Sequence, residues 1–544
     1  MTMRPLPSPH ALRLLALSGL VGGAVLCAGC GGGPGGPRSD PAGGKGAPMG
    51  ILWPDGQGGL TAHRQGCGVL PGEAVRGGVL TVAVVDSVRP ERAPIPHNRA
   101  ERLVFAQLYE TLVRVDCTGA LQPGLASHWS ATADSTVWIF ALRPDARFWD
   151  GTPVTAGDVR AAWCDGAGTP GAGARVTPWD WLDARAQSVE ALDARRLKVV
   201  LPEPQADLPR LLAHPATAVA VRRGGWTWPV GSGPARLRAS TPPPLPEIEC
   251  QANVQHPQAP VWSRLVFQVH PGSDPRDLVA TGFDLAVVRA LDAVRFYADL
   301  PGHRTLPLPW DRLYLLVCPP ETNAAGAGRW LGAAAALDPA RDVTTVAALP
   351  WPEIVFPAAG GRRCPQLAGP VAADPALRRD SDLARTPLDA GALIHDADDP
   401  GARELAGRLA ALAGEGVRTA PLAAASVRAA LRWQMPGAVV LAQDVQFPSG
   451  CLQLAALLAQ AGWLQQAALL PGTTPPGDSL VAAHRAEVPA TDPARVLLEG
   501  GLVRPLALSR SWLICRGPLA GLALDFDGTP RLAQVGPSAA ETTP

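Results

Sequence analysis

The side chains that do chemistry are scattered along this chain of 544 residues. It has ten histidines, and none falls into the H-E-x-x-H spacing that sets two imidazoles on one helix face for zinc. A lone histidine such as His128 is more often a helix-surface or satisfied core residue than a ligand. The 48 acidic residues include no pair whose setting marks a general acid and a general base. Ser232 lies between Gly231 and Gly233, short of the full G-x-S-x-G of a nucleophile elbow. Asp525 and Asp527 beside Gly528 lack the late glutamate of a calcium loop, so a hairpin turn is the better reading. The Gly-rich text near Gly31 and Gly43 has neither G-x-x-x-x-G-K-[ST] nor a strand before it, so it is no phosphate loop. These residue types predict no catalytic site, no metal and no cofactor.

Elements that position side chains are easier to read. Arg147 to Val159 spells Arg-Phe-Trp-Asp-Gly-Thr-Pro-Val-Thr-Ala-Gly-Asp-Val. Asp150-Gly151 signals a turn and Pro153 fixes a dihedral behind it. Thr155 is an N-cap with Asp158 reaching back, as in a capping box. The apolar run Val137 to Leu142 before it is a strand. Further strands are predicted at Gly77–Val84, Glu190–Leu201, Leu265–Val269, Leu313–Val317 and Ala438–Ala442. Helices are predicted at Val104–Leu112, Ala402–Gly414, Val427–Arg432 and Leu452–Ala461, and a helix start at Leu208–Leu212. This alternation is that of an α/β protein.

The bulk numbers exclude other classes. The chain is too long for one ordinary core and suggests two or three domains. Apolar residues are 47% and charged residues 18%, a globular balance. With 48 basic and 48 acidic residues the net charge is zero, and no electrostatic case for nucleic acid arises.

The first thirty residues read as an export signal. Arg4, His10 and Arg13 form a basic region, and 14–26 is apolar but shorter than the ~20 residues of a membrane span. Leu26-Cys-Ala-Gly-Cys30 resembles a bacterial lipobox, which implies a lipid on Cys30; cleavage without lipid is the alternative. The Cys27-x-x-Cys30 spacing has no second pair nearby and is a poor redox or metal site. Residues 31–72 are a Gly/Pro-rich tether. Eight cysteines follow: Cys67, Cys117, Cys164, Cys250, Cys318, Cys364, Cys451 and Cys515. An even number in an exported chain favours disulfides, about half of them bonded on the compartment argument. Spacing does not give the pairing, and buried free thiols are the alternative.

Several phrases together resemble the extracellular solute-binding proteins of family 5, which carry peptides, nickel complexes and related solutes to ABC importers. Phe140-Ala-Leu-Arg143 followed by the Asp-Gly-Thr-Pro stretch is similar to that family's "F-x-L-R" and "DGTP-x-T-A-x-DV". Tyr109-Glu-Thr-Leu112, Leu121 to Ala126 with Trp129, and Trp228-Pro-Val-Gly-Ser-Gly-Pro-Ala235 resemble its "YE-x-L", "l-x-P-x-LA-x-x-W" and "GTGPY" phrases. Val503-Arg-Pro-Leu506 and Gly521 to Thr529 resemble its closing segments.

The resemblance implies a bilobal α/β periplasmic-binding-protein-like fold with an inserted domain, mixed sheets and a ligand cleft between lobes. It implies a first lobe from 73–100, 186–250 and 500–540, an inserted domain at 101–185 and a second lobe at 251–499. It implies a monomer that captures a peptide or similar small molecule and delivers it to a permease with its ATPase. The protein would be held by lipid at the outer face of the cell membrane, or lie in the periplasm. Similar peptide-binding members run a strand into "D-Y-x-D/E-P", whose first Asp pairs with the ligand's amino terminus. Here Asp444 matches that Asp, while Val445 and Phe447 replace the Tyr and the second acid. Asp444 is therefore either an ammonium anchor or a strand-end turn residue. Its neighbours Gln443 and Gln446, with Trp310 and Trp433 in the same half, complete the expected ligand set; tryptophan offers a flat apolar face with one donor. Two other classes remain open: a lipid-anchored sensor or scaffold on a diverged binding fold, and an envelope enzyme.

Overall fold

The structure, a computed structural model, describes residues 52–54, 60–62, 67–164, 188–202, 204–238, 246–319, 324–350, 388–389, 391–445, 457, 464, 497 and 501–539. The elements that matter for the site are, in chain order, strand β1 (Val79–Val84), helix α1 (Arg99–Leu108), strands β2 (Ala126–Ala131) and β3 (Val137–Leu142), and helix α2 (Ala156–Cys164). Then come β4 (Ser188–Ala191), β5 (Arg196–Val200), β6 (Glu247–Ala252), β7 (Arg264–Val269), β8 (Leu285–Val288) and the long β9 (His303–Val317). The last group is β10 (Ala392–Asp396), α3 (Pro400–Ala413), β11 (Arg418–Leu422), α4 (Ala424–Arg432), β12 (Ala438–Asp444) and the long β13 (Val503–Arg516).

Most of these strands belong to one 11-stranded mixed sheet, in which β6, β7, β1, β8, β13, β9, β12, β10 and β11 follow one another. β1 is parallel to both β7 and β8, and β10 is parallel to β11 and β12. Strands with parallel neighbours are covered on both faces, which is why β1 and β12 read as Val/Leu runs. The sheet divides by its cores. Leu80, Val82, Phe267 and Leu513 share one apolar cluster with α1 and with the separate four-stranded sheet β2-β3-β5-β4. Along β9, Leu313, Leu315 and Val317 enter a second cluster, and Tyr314 and Leu316, on the opposite face, a third. The first half of the sheet and the second thus have their own cores, the physical meaning of two lobes.

β9 and β13 are the two strands that run through both. They pair from His303 with Arg516 to Val317 with Val503. Their far ends bond to β8 in one lobe and to β12 in the other. Between them the register shifts at Pro307/Trp310 and again at Trp310/Arg312. Pro307 and Pro309 carry no N–H, so the ladder cannot continue through them, and the extra residues bulge.

The Asp-Gly-Thr-Pro stretch folds as its chemistry requires. Gly151 has φ +90°, and Asp150 accepts from the Thr152 amide at 2.9 Å. The Asp158 carboxylate accepts from Thr155 N and Oγ1 at 2.9 and 2.6 Å, while Thr155 Oγ1 accepts from Asp158 N at 3.2 Å, a closed capping box. Gly282, at φ +69°, ends the turn before β8.

Three expectations need correction. The helix predicted over 104–112 runs over 99–108: Tyr109 is already extended, held by its hydroxyl donating to the Pro229 carbonyl. The single strand predicted over 190–201 is a hairpin, because Asp193 Oδ1 accepts from the amides of Arg195 and Arg196 and turns the chain. The resemblance implies a second lobe over 251–499, but β7 and β8 lie beside β1, so the chain crosses at β9. Of the cysteines, Cys67 and Cys117 form a disulfide, whereas Cys250, Cys318 and Cys515 are buried thiols; burial pushes the latter two up to about 12. Cys364, Cys451 and the predicted helix 452–461 lie outside the described residues, apart from Leu457.

Candidate functional site

α1 starts from Asn98, whose side chain accepts from Glu101 N. Glu101, fully buried, accepts from His97 N at 2.7 Å and Arg89 N at 3.2 Å, and its Oε1 lies 3.2 Å from Arg92 Nη1. One acid therefore organises the loop leading into the helix. That loop delivers Arg99 and Arg102, one turn apart on α1, toward the middle of the β9/β13 ribbon.

There they meet a set of acids and arginines brought together from distant parts of the chain. Arg99 Nη1 is 2.5 Å from Asp311 Oδ2. Arg289 Nη2 contacts the other oxygen of Asp311 at 3.2 Å. Arg102 Nη2 is 2.8 Å from Asp444 Oδ2, and Arg312 Nη1 is 3.0 Å from Asp444 Oδ1. Arg312 also reaches Asp399 at 2.7 Å. Asp399 caps α3, accepting from Ala402 N, and accepts from the buried Tyr314 hydroxyl at 2.8 Å. α1 packs in the first core and β12 in the second and third, so Arg102–Asp444 bridges the two lobes.

The electrostatics follow from this packing. Burial opposes ionisation of Asp444 and Asp399, but Arg312 and its fellow arginines outweigh burial and hold both carboxyls below the usual range. Burial would weaken Arg312, yet Asp399 and Asp444 keep it firmly protonated. Asp86, in the loop after β1, is pushed up by burial, against Arg312.

The predicted site residues divide. Asp444 lies at the end of β12 and its two oxygens face Arg102 and Arg312. Gln443 is buried, and its Oε1 has no hydrogen-bond partner among the described residues. Trp310 is buried in the ribbon's bulge under the Arg510 guanidinium, 4.6 Å from its ring centroid. Trp433 is the half-buried C-cap of α4. Gln446 and Cys30 lie outside the described residues. The arginines were missed. Their signal was Asp311-Arg312, a charged pair inside the apolar run of β9, where charge survives only with partners. Among the described residues no group of three or more His, Cys, Asp and Glu is placed to hold a metal.

A second polar knot buttresses the motif region. Glu110 takes Arg143 in a bidentate pair at 3.0 and 2.9 Å, and His256 Nε2 lies 3.2 Å from its Oε1.

The family described as bacterial extracellular solute-binding proteins, family 5 Middle, matches residues 120–282. The periplasmic oligopeptide-binding protein OppA of Escherichia coli K12 is 31% identical over 162 residues, 26% of this chain and 29% of that relative. OppA of Haemophilus influenzae is 49% identical over 63 residues, 12% of each. The chain's alignments thus span less than a third of these curated relatives. In three dimensions the coverage is larger. The E. coli murein tripeptide binding protein MppA superposes with a TM-score of 0.61 at 16% identity, over 85% of this chain and 99% of that one. The periplasmic binding protein DppA of Helicobacter pylori, in complex with the peptide STSA, gives 0.63 at 17% identity, over 85% and 99%.

Proposed function

We propose, from the match of residues 120–282 to the bacterial extracellular solute-binding proteins of family 5 and from the fold shared with periplasmic binding proteins, that the chain is a member of that family and the substrate-binding component of an ABC importer. It captures a peptide or similar small molecule between its lobes and hands it to a permease driven by an ATPase. The observation that carries this reading is the two-strand ribbon: two lobes with separate cores, joined through bulged strands, with polar side chains of α1 and β12 meeting beside the bulge. Such a joint absorbs closure in a few residues. The same reading makes the chain an exported monomer without enzymatic activity, tethered through 31–72 and a lipid on Cys30. Its site takes in Asp444, Gln443, Gln446, Trp433 and Trp310, and its lobes divide at the ribbon, with 101–185 inserted in the first.

The test is binding with closure. The exported chain is titrated with peptides, metal chelates and organic acids while its melting temperature and its radius of gyration by X-ray scattering are followed. A true solute stabilises by about 2.7 kcal/mol at a hundredfold excess over its dissociation constant and compacts the molecule. Unchanged uptake of every such solute in cells lacking the chain would overturn the reading.

A further inference from the structure

Arg102 has an acid within reach in each lobe. Its Nη2 lies 2.8 Å from Asp444 Oδ2 at the end of β12, and its Nη1 lies 3.8 Å from Asp527 Oδ2. The first is a hydrogen-bonded ion pair, and the second is too long for a hydrogen bond. Asp527 follows the strand Leu522–Leu524, whose Leu522 and Leu524 enter the first core with Leu108 of α1. Gln107 ties α1 to the same segment: its Nε2 donates to the Pro530 carbonyl and its Oε1 accepts from Leu532 N, both at 3.2 Å. Arg102 and Asp527 are thus carried by one lobe, and Asp444 by the other.

Neither acid depends on Arg102 alone. Asp527 Oδ1 accepts from Thr529 N at 3.0 Å, which commits one oxygen and leaves Oδ2 toward Arg102. Asp444 keeps Arg312, at 3.0 Å, on the neighbouring strand β9. The side chains of Arg102 and Asp444 are only 10% and 14% exposed, and breaking so shielded a pair without a replacement is strongly unfavourable. Asp527, equally shielded, supplies that replacement from within the first lobe. The other arginine of α1, Arg99, pairs with Asp311 in the bulge of the ribbon itself. A pair at the pivot needs no exchange when the lobes move.

Resting on the importer reading above, we propose that Arg102 is a latch that exchanges partners as the lobes move, holding Asp444 when they are closed and Asp527 when they are open. The exchange keeps every one of these charges paired in both states. A forked guanidinium suits it, because its two terminal nitrogens already face the two acids. Arg102 is then a positioning residue for solute capture: the balance between its two pairs sets how much of a solute's binding free energy closure consumes.

The test follows the distance between the lobes of the exported chain in buffer without solute. Two dyes are attached through a ketone-bearing amino acid in place of the exposed Val254, in the loop after β6, and the exposed Leu412 on α3. Single-molecule energy transfer between them gives the ratio of open to closed molecules. Each isosteric change removes the partner of one state, so the two act in opposite directions. Asp444→Asn should raise the open-to-closed ratio and Asp527→Asn should lower it, each by at least about threefold, the scale of one partly shielded ion pair. In an Arg102→Gln background neither acid should move the ratio. Circular dichroism shows that each variant is folded; if Asp444→Asn does not fold, Asp527→Asn decides alone, and a ratio unchanged or raised by it sinks the latch. The proposal is overturned if both variants shift the ratio the same way, if neither shifts it, or if the shifts survive in Arg102→Gln. Solute binding and uptake that persist beside such a result spare the importer. Opposite shifts in a chain whose loss affects no uptake do the reverse.

Discussion

Arg312 holds two buried carboxylates at once, Asp399 and Asp444. Removing it leaves Asp399 without its ion-pair partner and Asp444 with Arg102 alone, and breaking one buried pair costs about 3–5 kcal/mol. Arg312→Met should therefore lower the urea midpoint sharply, whereas Arg264→Met, which loses an exposed pair with Glu249, should shift it by less than about 1 kcal/mol. Glu110 makes a second prediction. Burial raises its carboxyl, but His256 and Arg143 together bring it down to about 2 from 4.5. A depressed carboxyl stabilises the fold above its unfolded value and loses that contribution as pH falls through its folded one. Roughly 3 kcal/mol should thus disappear between pH 4.5 and pH 2. Urea unfolding across that window should show the loss in the wild type, and Glu110→Gln, weaker throughout, should show less slope.

At the scale of elements, the phrases legible in the sequence are those whose purpose is local. Thr155 and Asp158 announce a capping box and make one, so Thr155→Ala should cost about 1 kcal/mol in a thermal melt. Gly231 and Gly233 are legible as glycines, but their reason appears only in the fold. A Cβ on Gly231 would strike the Leu108 carbonyl, the Tyr109 ring and Trp149, and one on Gly233 would strike the Gln107 carbonyl. These glycines let the loop pass against the end of α1. Gly231→Ala should destabilise by about 1–3 kcal/mol, the cost of overpacking a filled site, and should lengthen the Tyr109–Pro229 hydrogen bond. What failed at this scale failed through tertiary contacts. Apolar spacing continues past Leu108, yet Tyr109 is drawn out of the helix by Pro229, a partner 120 residues away.

At the scale of the molecule, the candidate site was the least legible part. Arg99, Arg289, Asp311, Asp399 and Asp444 have no shared spacing; they meet because α1, β9, α3 and β12 converge on one ribbon. Asp444 alone was visible, through a resemblance that says what the position does in relatives and not that Arg102 lies against it. The two-lobed fold, by contrast, was visible in the phrases along its first lobe. The Cys67–Cys117 disulfide closes a loop with a sequence separation of 50, which the loop-entropy account values at about 4 kcal/mol. Reduction should lower the melting temperature, with Cys67→Ser/Cys117→Ser matching the reduced protein.

That disulfide also sets a path for mechanical load. A pull on the chain before Cys67 reaches a covalent bond to Cys117 at the point where the strand Gly68–Leu70 begins its antiparallel pairing with Leu522–Leu524. Tension entering there passes into the first lobe through sulfur and is not borne by peeling that short strand from its partner one hydrogen bond at a time. Neither end of the bond lies on β9 or β13. Tension on the segment before Cys67 would enter the first lobe upstream of the ribbon and leave β9 and β13 unloaded.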